Sequence, residues 1–421
     1  MNKLSLLTFG LVAALAAPIL AAPAHAAADK GVVAGLDRYA RPLSDLDALS
    51  KMTRDASIVG IGEVTHGSKE LFTVRNRMFR HLVSKQGFTT IALEAPWSAG
   101  VRLDEYVRTG KGDLRTILRE DFQQAYSSWQ TKEWLELYTW MREYNRTARH
   151  KLRVMGFDIG DVHPDQYRRV IAWAEKNKPA IVPGLRRHYA DLLALPAGTA
   201  ERMSAIAALP PERRKTLAEN AEAAYRLVEN ATPIVAQEAR VIAQMTTMYA
   251  LDGPALHGHR DKAMAQNTWW WNRQTGLKTV AAAHNGHIGY VSAWPETYPV
   301  TQGAHLRAMA GKSYVAIATT IHSGRFRAMD PKTGKVGVFD TGTPGTGSSE
   351  HTLDQVGHRD YLVNLRQAGR NPAVRTWLDT PRPTYTIPAT YLPEMFTKPL
   401  ALGKAYDALI HLHRVKAADP L

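Results

Sequence analysis

The sequence predicts an α/β fold in which a central, mainly parallel sheet is flanked by helices. Two observations support this prediction. Short apolar runs rich in Ile and Val alternate with segments of helical periodicity, which is typical of βα units. Residues 165–265 are instead rich in Ala, Glu, Arg and Leu, with scattered Pro and Gly, and indicate several consecutive helices. We expect these helices to form an inserted subdomain that covers one end of the sheet.

The candidate strands, in chain order, are residues 57–62, 89–94, 152–157, 278–283, 313–318 and 407–412. Because the helical segment separates the third strand from the fourth, the predicted core has two parts. The Gly-, Ser- and Thr-rich stretch 328–352 predicts a loop or hairpin. The predicted division is residues 27–164 and 266–421 for the core, and residues 165–265 for the insertion.

The N-terminus has the pattern of a secretory signal peptide. Lys3 precedes an almost wholly apolar stretch, residues 5–22, and Ala24-His25-Ala26 gives the small-x-small cleavage pattern. We therefore predict that residues 1–26 are removed and that the mature protein is periplasmic or secreted. No later stretch approaches the roughly 20 apolar residues of a membrane span, so no membrane anchor is expected after cleavage.

Composition predicts a folded protein that relies on its apolar core. The chain has 421 residues, 45% of them hydrophobic, and no cysteine, so no disulfide contributes to stability. The net charge of +14 is spread over the whole length and is accompanied by no DNA- or RNA-binding motif. We expect a generally basic surface and no nucleic-acid partner.

Ionisable residues follow four of the candidate strands directly. Glu63, Glu94, Asp158 and His284 each come immediately after an apolar run, or end it. Ligands of open α/β sheets bind beyond the carboxyl ends of the strands. Each residue alone has a simpler explanation as the polar start of a loop, but together they predict one site.

The helix after the first strand carries an arginine on the face that is predicted to be buried. Ser68 is placed to cap this helix, and Arg75 falls within its apolar face at about 100° per residue. An arginine that faces a sheet needs a carboxylate or an anionic ligand, and Glu63 and Glu94 are the candidates. The alternative is an arginine whose stem packs on the apolar face while its head reaches water.

Three histidines complete the predicted site. His66 lies in a turn before Gly67, and a carboxylate on one ring nitrogen would make it a competent general base for water. In the stretch "AAAHNGHIGY", a turn at Asn285-Gly286 is expected to return His287 to the region of His284. This pair suggests either metal ligands or a proton donor with an oxyanion-stabilising partner.

The helix before that strand carries further polar residues. The stretch "HGHRDKAMAQN" places Arg260, Asp261 and Asn267 on this helix, whereas His257 and His259 are predicted to be solvated loop residues. The adjacent run of three tryptophans, residues 269–271, is predicted to belong to the core rather than to a ligand platform.

Other types of site lack their markers. The chain has no GxSxG, P-loop or GxGxxG motif, so it shows no signature of a serine hydrolase or a nucleotide-binding protein. A zinc site would have to combine His66, His284 and His287 with a carboxylate, for which the spacing is only a weak signal. We therefore expect neither a metal nor a cofactor.

Several motifs resemble, in order and spacing, those of the erythromycin esterase family. They are "GEVTHGSKELFTVRNRMFRHL", "GFTTIALEA", "LRVMGFDIG", "RDKAMAQN", "AAHNGH" and "YDALIHLHR", and the resemblance covers most of residues 55–415. It implies a metal-independent hydrolase with an α/β core and a helical subdomain around a deep cleft.

The resemblance also implies roles for individual residues. His66 would be the general base, with Glu63 and Glu94 orienting it or the water, and Arg75 would fix those carboxylates. His284 would polarise the carbonyl or protonate the leaving group. The positions of His287 and Asp158 also match the family, and we include these two residues and Arg260 as substrate-binding or supporting residues.

The function predicted from the sequence is hydrolysis of a small-molecule carboxylic ester or macrocyclic lactone by histidine-activated water, without a covalent intermediate. Two alternatives use the same residues: a metal-dependent hydrolase, and an exported binding protein that catalyses nothing. Family members hydrolyse macrolides, so antibiotic resistance is one implied role.

Overall fold

A nine-stranded sheet forms the centre of the structure, a computed structural model that describes residues 25–421 except for the side chains of residues 25–29 and Ala125. The predicted signal peptide therefore lies outside the described residues except for its last two positions. The strands, in chain order, are β1 (Ala40–Pro42), β2 (Ile58–Glu63), β3 (Phe88–Pro96), β4 (Arg153–Asp158), β5 (Lys278–His284), β6 (Tyr314–Met329), β7 (Val336–Asp340), β8 (Asp360–Asn364), β9 (Arg382–Tyr385), β10 (Thr397–Leu400) and β11 (Ala408–Val415).

The sheet is mainly parallel, as the sequence predicts. Its order is β1-β8-β11-β6-β2-β5-β3-β4, with β7 paired to β6, and the strands from β11 to β4 in this order run parallel. These parallel strands are the six apolar runs identified in the sequence. The antiparallel strands β1 and β8 were not predicted, nor was the separate pair β9 and β10. Strand β7, also antiparallel, lies in the stretch 328–352 that was predicted to form a loop or hairpin.

Helices cover both faces of the sheet. They are α1 (His25–Asp37), α2 (Asp47–Thr53), α3 (Lys69–Gln86), α4 (Trp97–Thr109), α5 (Leu114–Asp121), α6 (Lys132–Thr147), α7 (Pro164–Asn177), α8 (Val182–His188), α9 (Ala190–Leu193), α10 (Thr199–Ala207), α11 (Pro211–Val228), α12 (Pro233–Tyr249), α13 (Gly253–Thr275), α14 (Asn285–Ile288), α15 (Gln302–Ala310), α16 (Ser349–Leu353), α17 (Leu365–Ala368), α18 (Pro372–Asp379) and α19 (Leu402–Ala405). Short 3-10 helices lie at Gln124–Trp129, Pro179–Ile181, Gly311–Ser313 and Pro393–Met395.

Two apolar layers hold the helices against the sheet. Side chains alternate between the faces of a strand, and β2 contributes Ile58 to one layer and Val59 and Ile61 to the other. Because every residue of β2 is buried, this central strand reads as a continuous apolar run that ends on Glu63.

The chain between β4 and β5, all of which is described, forms helices α7 to α13 and no strand. The longest of these helices, α13, leads directly into β5. The division into residues 27–164, 165–265 and 266–421 remains a prediction. Within residues 328–352, β6 and β7 form an antiparallel hairpin, and a loop then leads to α16.

No helix within residues 25–421 combines the length and the apolar character that a membrane crossing requires.

Candidate functional site

The carboxyl ends of the parallel strands bring the predicted site residues to one edge of the sheet. Glu63 at the end of β2 lies opposite His284 at the end of β5, and Asp158 ends β4 beside Pro96 of β3. Glu94 is two residues before the end of β3, where a bulge shifts the register between Leu93 and Pro96. All four residues are buried.

The loop that carries His66 is held tightly against β6. Gly67 O accepts hydrogen bonds from Arg327 N at 3.0 Å and from Ala418 N at 2.9 Å. A Cβ on Gly67 would lie 2.0 Å from the Arg327 carbonyl oxygen, so only glycine fits here. This close approach fixes the position of His66 although the residue is in a loop.

Glu63 orients His66 and is itself fixed by Arg75. His66 Nδ1 lies 2.7 Å from Glu63 Oε1, and Arg75 Nη1 donates to Glu63 Oε2. A carboxylate accepts, so the Nδ1 nitrogen carries the hydrogen and the lone pair of neutral His66 is on Nε2. No described residue hydrogen-bonds this Nε2 atom. The ring is thus prepared to accept a proton.

Arg75 is fully buried, so the alternative of an arginine reaching water is wrong. Its guanidinium lies 4.6 Å from the centre of the Trp134 ring and 5.2 Å from that of Phe72. Burial opposes the charge of Glu63, but the Arg75 guanidinium and the His66 hydrogen bond together keep the pKa of this carboxyl below its usual value. Among the described side chains, Arg75 forms an ion pair with Glu63 and none with Glu94, so the expectation that it also fixes Glu94 is wrong.

Replacing Arg75 with methionine is expected to destabilise the protein by about 3–5 kcal/mol, because Glu63 would remain buried without its counter-ion. Urea unfolding followed by circular dichroism measures the change. Arg146, an exposed arginine paired with Glu143, provides the control, and its replacement by methionine should cost at most about 1 kcal/mol. Equal losses in the two variants would contradict the assignment.

His284 is a neutral imidazole held by the backbone. Its Nδ1 accepts from Gly286 N at 3.1 Å, so its Nε2 carries the hydrogen and donates to Val64 O at 3.2 Å. Burial and the nearby His66 lower the pKa of His284 to about 4. The His66 and His284 ring centres are 5.1 Å apart. His284 therefore offers an N–H donor next to a potential base.

Arg260 connects the other carboxylates. Its Nε and Nη2 bind both oxygens of Asp158, at 2.9 and 2.5 Å, and Nη2 also donates to Glu94 Oε1 at 3.0 Å. Glu94 Oε2 in turn accepts from the backbone nitrogen of His284 at 2.8 Å. Glu94 thus links Arg260 to the end of β5, which carries His284.

His287 is a buried cation. Its Nδ1 donates to Asp261 Oδ1 at 2.7 Å, and its Nε2 lies 3.3 Å from Glu94 Oε1. Burial lowers the pKa of His287, but Asp261 and Glu94 outweigh burial and raise it to about 10. In this charged form Nε2 donates to Glu94, and its 3.3 Å approach to Arg260 Nη1 is a contact between two donors.

The two histidines of the HNGH motif should titrate on opposite sides of neutrality. We expect ¹⁵N NMR of the imidazole rings to show His284 neutral and His287 protonated throughout pH 6–8, since their pKa values are near 4 and 10. Because the pKa of His284 is depressed, the protein loses stability at this residue as pH falls below about 6.5. Because the pKa of His287 is raised, the stability that this residue contributes is lost as pH rises from about 6.5 through 10. Two neutral rings at pH 7 would contradict this arrangement.

Aromatic side chains cover His66 and His284, and none of them was predicted as a site residue. The His66 ring centre is 4.7 Å from that of Trp129, and His284 stacks on Trp294 at 6.4 Å. Tyr126, beside Trp129, donates to Asp158 Oδ2 at 2.8 Å. Trp129 and Tyr126 are on an irregular 3-10 segment, where no periodic pattern signals a role.

Several local predictions need correction. His257 and His259 are on α13, because this helix already begins at Gly253, and His257 is buried against Tyr298. Ser68 is at the N-cap of α3, but its hydroxyl donates to Arg325 O instead of capping the helix. The expected turn at Asn285-Gly286 is the short helix α14, which still brings His287 to the site.

Other predictions on α13 are confirmed. Arg260, Asp261 and Asn267 are on this helix as expected, and Trp271 is buried, while Trp269 and Trp270 pack against the same apolar layer. Asp261 was recognised as a helix residue but not as the partner of His287. The sequence alone does not show which acid meets which histidine.

Among the side chains that the structure describes, no three His, Asp or Glu residues are grouped in a way that would hold a metal ion. The ring nitrogens of His284 and His287 are already engaged by the backbone and by carboxylates.

Comparison with known proteins identifies the class. The family model described as erythromycin esterase matches residues 83–415, which is most of the chain. This protein therefore belongs to the erythromycin esterase family, as its motifs and its α/β fold suggest. Membership supports hydrolase function at the level of the family and implies a small-molecule substrate.

Individual relatives extend over nearly the whole chain. Erythromycin esterase type II of Escherichia coli is 23% identical over 416 residues, which cover 89% of this chain and 93% of that protein. A crystal structure of a Bacillus cereus protein is 30% identical, with a TM-score of 0.84 and coverage of 93% of this chain and 98% of the other. A mutant of erythromycin esterase EreC in its open conformation has the same fold at 18% identity, with a TM-score of 0.67 over 90% of this chain and 96% of that one.

Proposed function

We propose that this protein hydrolyses a carboxylic ester or a macrocyclic lactone, using water activated by His66. The observation that carries this proposal is the chain of contacts from Arg75 through Glu63 to His66, which leaves His66 Nε2 unbonded among the described residues. A base oriented by a fixed carboxylate is the arrangement that general-base catalysis requires. Family membership supports the same class of reaction.

The proposed reaction begins with a water molecule between His66 and the acyl carbon. His66 Nε2 takes one proton as the water oxygen bonds to that carbon, and Glu63 stabilises the imidazolium that forms. When the tetrahedral intermediate collapses, the carbon–oxygen bond of the ester breaks and His66 returns the proton to the leaving alkoxide. The products are a carboxylic acid and an alcohol, and no enzyme atom is acylated.

His284 is proposed to polarise the carbonyl. Its pKa near 4 means that it carries no spare proton at neutral pH, so between the two roles implied by the family we favour an N–H donor over an acid. To do this, Nε2 would exchange its 3.2 Å bond to Val64 O for the substrate oxygen. Arg260, His287, Glu94 and Asp158 are proposed to hold this edge of the site in place.

A product assay tests the proposal. The purified protein is incubated with a panel of esters and macrocyclic lactones, including macrolides, and products are followed by mass spectrometry. In at least one reaction we expect either a ring-opened lactone heavier by one water, or an acid and an alcohol whose masses sum to that of the ester plus one water. We expect neither with the His66→Ala variant. Turnover that disappears on exhaustive chelation would favour the metal-dependent alternative. Binding without turnover across the panel would favour a non-catalytic binding protein.

We also propose that the protein is exported to the periplasm or beyond, supported by the signal-peptide pattern of residues 1–26. Mass spectrometry of the N-terminus after cell fractionation is expected to find a mature chain that begins at residue 27 outside the cytoplasm. A full-length chain recovered from the cytoplasm would contradict the proposal.

A further inference from the structure

A cavity of about 540 Å³ lies between the loop after β7 and the segment that contains β9 and β10. We call it the acidic cavity; its walls come from residues 340–350 and 383–397. Three aromatic rings line it, those of Tyr385, Tyr391 and Phe396, together with hydroxyl groups that include Thr343 and Ser348. The proposed hydrolytic mechanism uses none of these residues.

The charge of this cavity is opposite to that of the chain. Its charged side chains are Asp340 and Glu350, and no lysine, arginine or histidine is among the described residues that line it, although the whole chain has a net charge of +14. Asp340 is exposed, whereas Glu350 is fully buried. Such a lining attracts a cation and repels an anionic ligand.

Glu350 has an unsatisfied oxygen. Its Oε1 accepts from Tyr385 N at 2.9 Å, but its Oε2 is buried and has no hydrogen-bond partner among the described residues. An unpartnered buried carboxylate is costly, and burial raises the pKa of Glu350 to about 7. A bound cation would supply a positive charge to balance this carboxylate.

Two other titratable groups near Glu350 are tyrosines. The negative charge of Glu350 helps to raise the pKa of Tyr385 on β9 and of Tyr406 after α19. For Tyr385, burial together with the charges of Glu350 and Asp340 raises the pKa to about 12. Neither tyrosine supplies a positive charge near neutral pH, so neither acts as a counter-ion for Glu350.

The aromatic rings suit an organic cation better than a hydrated metal ion. Tyr391 stacks on Phe339 with ring centres 3.8 Å apart, and it meets Phe396 edge-on at 5.7 Å. Aromatic faces next to carboxylates attract alkylated ammonium groups by cation–π interaction. We propose that the acidic cavity is a binding site for an organic ammonium group on a small molecule. This proposal is independent of the proposed hydrolytic reaction.

Choline and 3,3-dimethylbutan-1-ol test the proposal, because they have the same shape and differ in one positive charge. Isothermal titration calorimetry of the full mature chain at pH 8 is expected to show choline binding at least about tenfold more tightly than the alcohol. Since ionised Glu350 is the counter-ion, choline should also bind more tightly at pH 8 than at pH 6. Equal affinities for the two compounds, or no choline binding, would overturn the proposal.

Amino-acid substitutions test whether choline binds in the acidic cavity. Glu350→Gln is expected to weaken choline binding at least about tenfold and to abolish its pH dependence. Glu212→Gln, an exposed glutamate also in the first turn of a helix, should leave binding unchanged. If Glu350→Gln fails to fold, Tyr391→Leu decides, because removing its ring should weaken binding at least about threefold. Unchanged binding in a folded Glu350→Gln variant, or in Tyr391→Leu, would overturn the assignment.

Discussion

Replacing His66 with alanine is expected to lower kcat at least about 100-fold on any ester that the protein hydrolyses, because the group that removes a proton from water would be lost. The His66 ring is almost completely buried, between Glu63 on one side and Trp129 on the other. The variant therefore lacks the imidazole that is proposed to accept a proton from water at this position. Steady-state kinetics at pH 7–8 measure the effect.

The matched control for this variant is His150→Ala, since His150 is exposed and is not among the predicted site residues. Its kcat should equal that of the wild type within about twofold. Thermal unfolding of both variants separates a catalytic loss from misfolding. A folded His66→Ala variant that retains near-normal kcat would remove His66 from the role of base.

Replacing Glu63 with glutamine is expected to lower kcat by a similar factor, about 100-fold or more. The carboxylate has two acceptor oxygens, one for His66 Nδ1–H and one for Arg75. An amide keeps only one acceptor oxygen and places an NH₂ group where the other was, so either Arg75 loses its partner or His66 loses its fixed tautomer. Substrate KM should change much less than kcat, because Glu63 lies behind the ring.

Glu143→Gln is the control, because Glu143 is exposed and its pair with Arg146 is on the surface. This change should leave kcat unaltered and alter the free energy of unfolding by at most about 1 kcal/mol. If Glu63→Gln changed KM alone, Glu63 would be a binding group rather than the residue that orients His66.

The parallel core of the fold was accessible from the sequence. Buried parallel strands are apolar on both faces, so each appears as a continuous run such as the one that ends on Glu63. Strands such as β1, β8 and β9 are short and only partly buried, and they form because a neighbouring edge is available. Their sequences carry little periodic signal, which explains why they were not predicted.

The site residues that lie at the ends of strands could be predicted from the sequence. Glu63, Glu94, Asp158 and His284 gather because parallel strands share one edge, a property that follows from topology alone. The partner of each residue was not predictable in the same way. Arg75 and Arg260 divide Glu63 and Glu94 between them according to the packing of α3 and α13, which no single-chain pattern reveals.

The aromatic side chains that cover His66 and His284 could not be predicted from the sequence. Trp129 reaches His66 from an irregular segment in which Gln124 has a left-handed backbone, with φ of 53°. A non-glycine residue in that region is unusual and does not follow from residue type. The protonation states of His284 and His287 also depend on burial and on individual partners, so spacing alone left both roles open.

A double-variant cycle on His66 and His284 tests the central claim, that two imidazoles from distant parts of the chain act on the same water molecule and carbonyl. We expect each alanine variant to lose most of the activity and the double variant to be at most about tenfold slower than the slower single one, because groups that act as a unit give non-additive losses. If the two losses multiply in full, the histidines act independently and the shared-site account is contradicted.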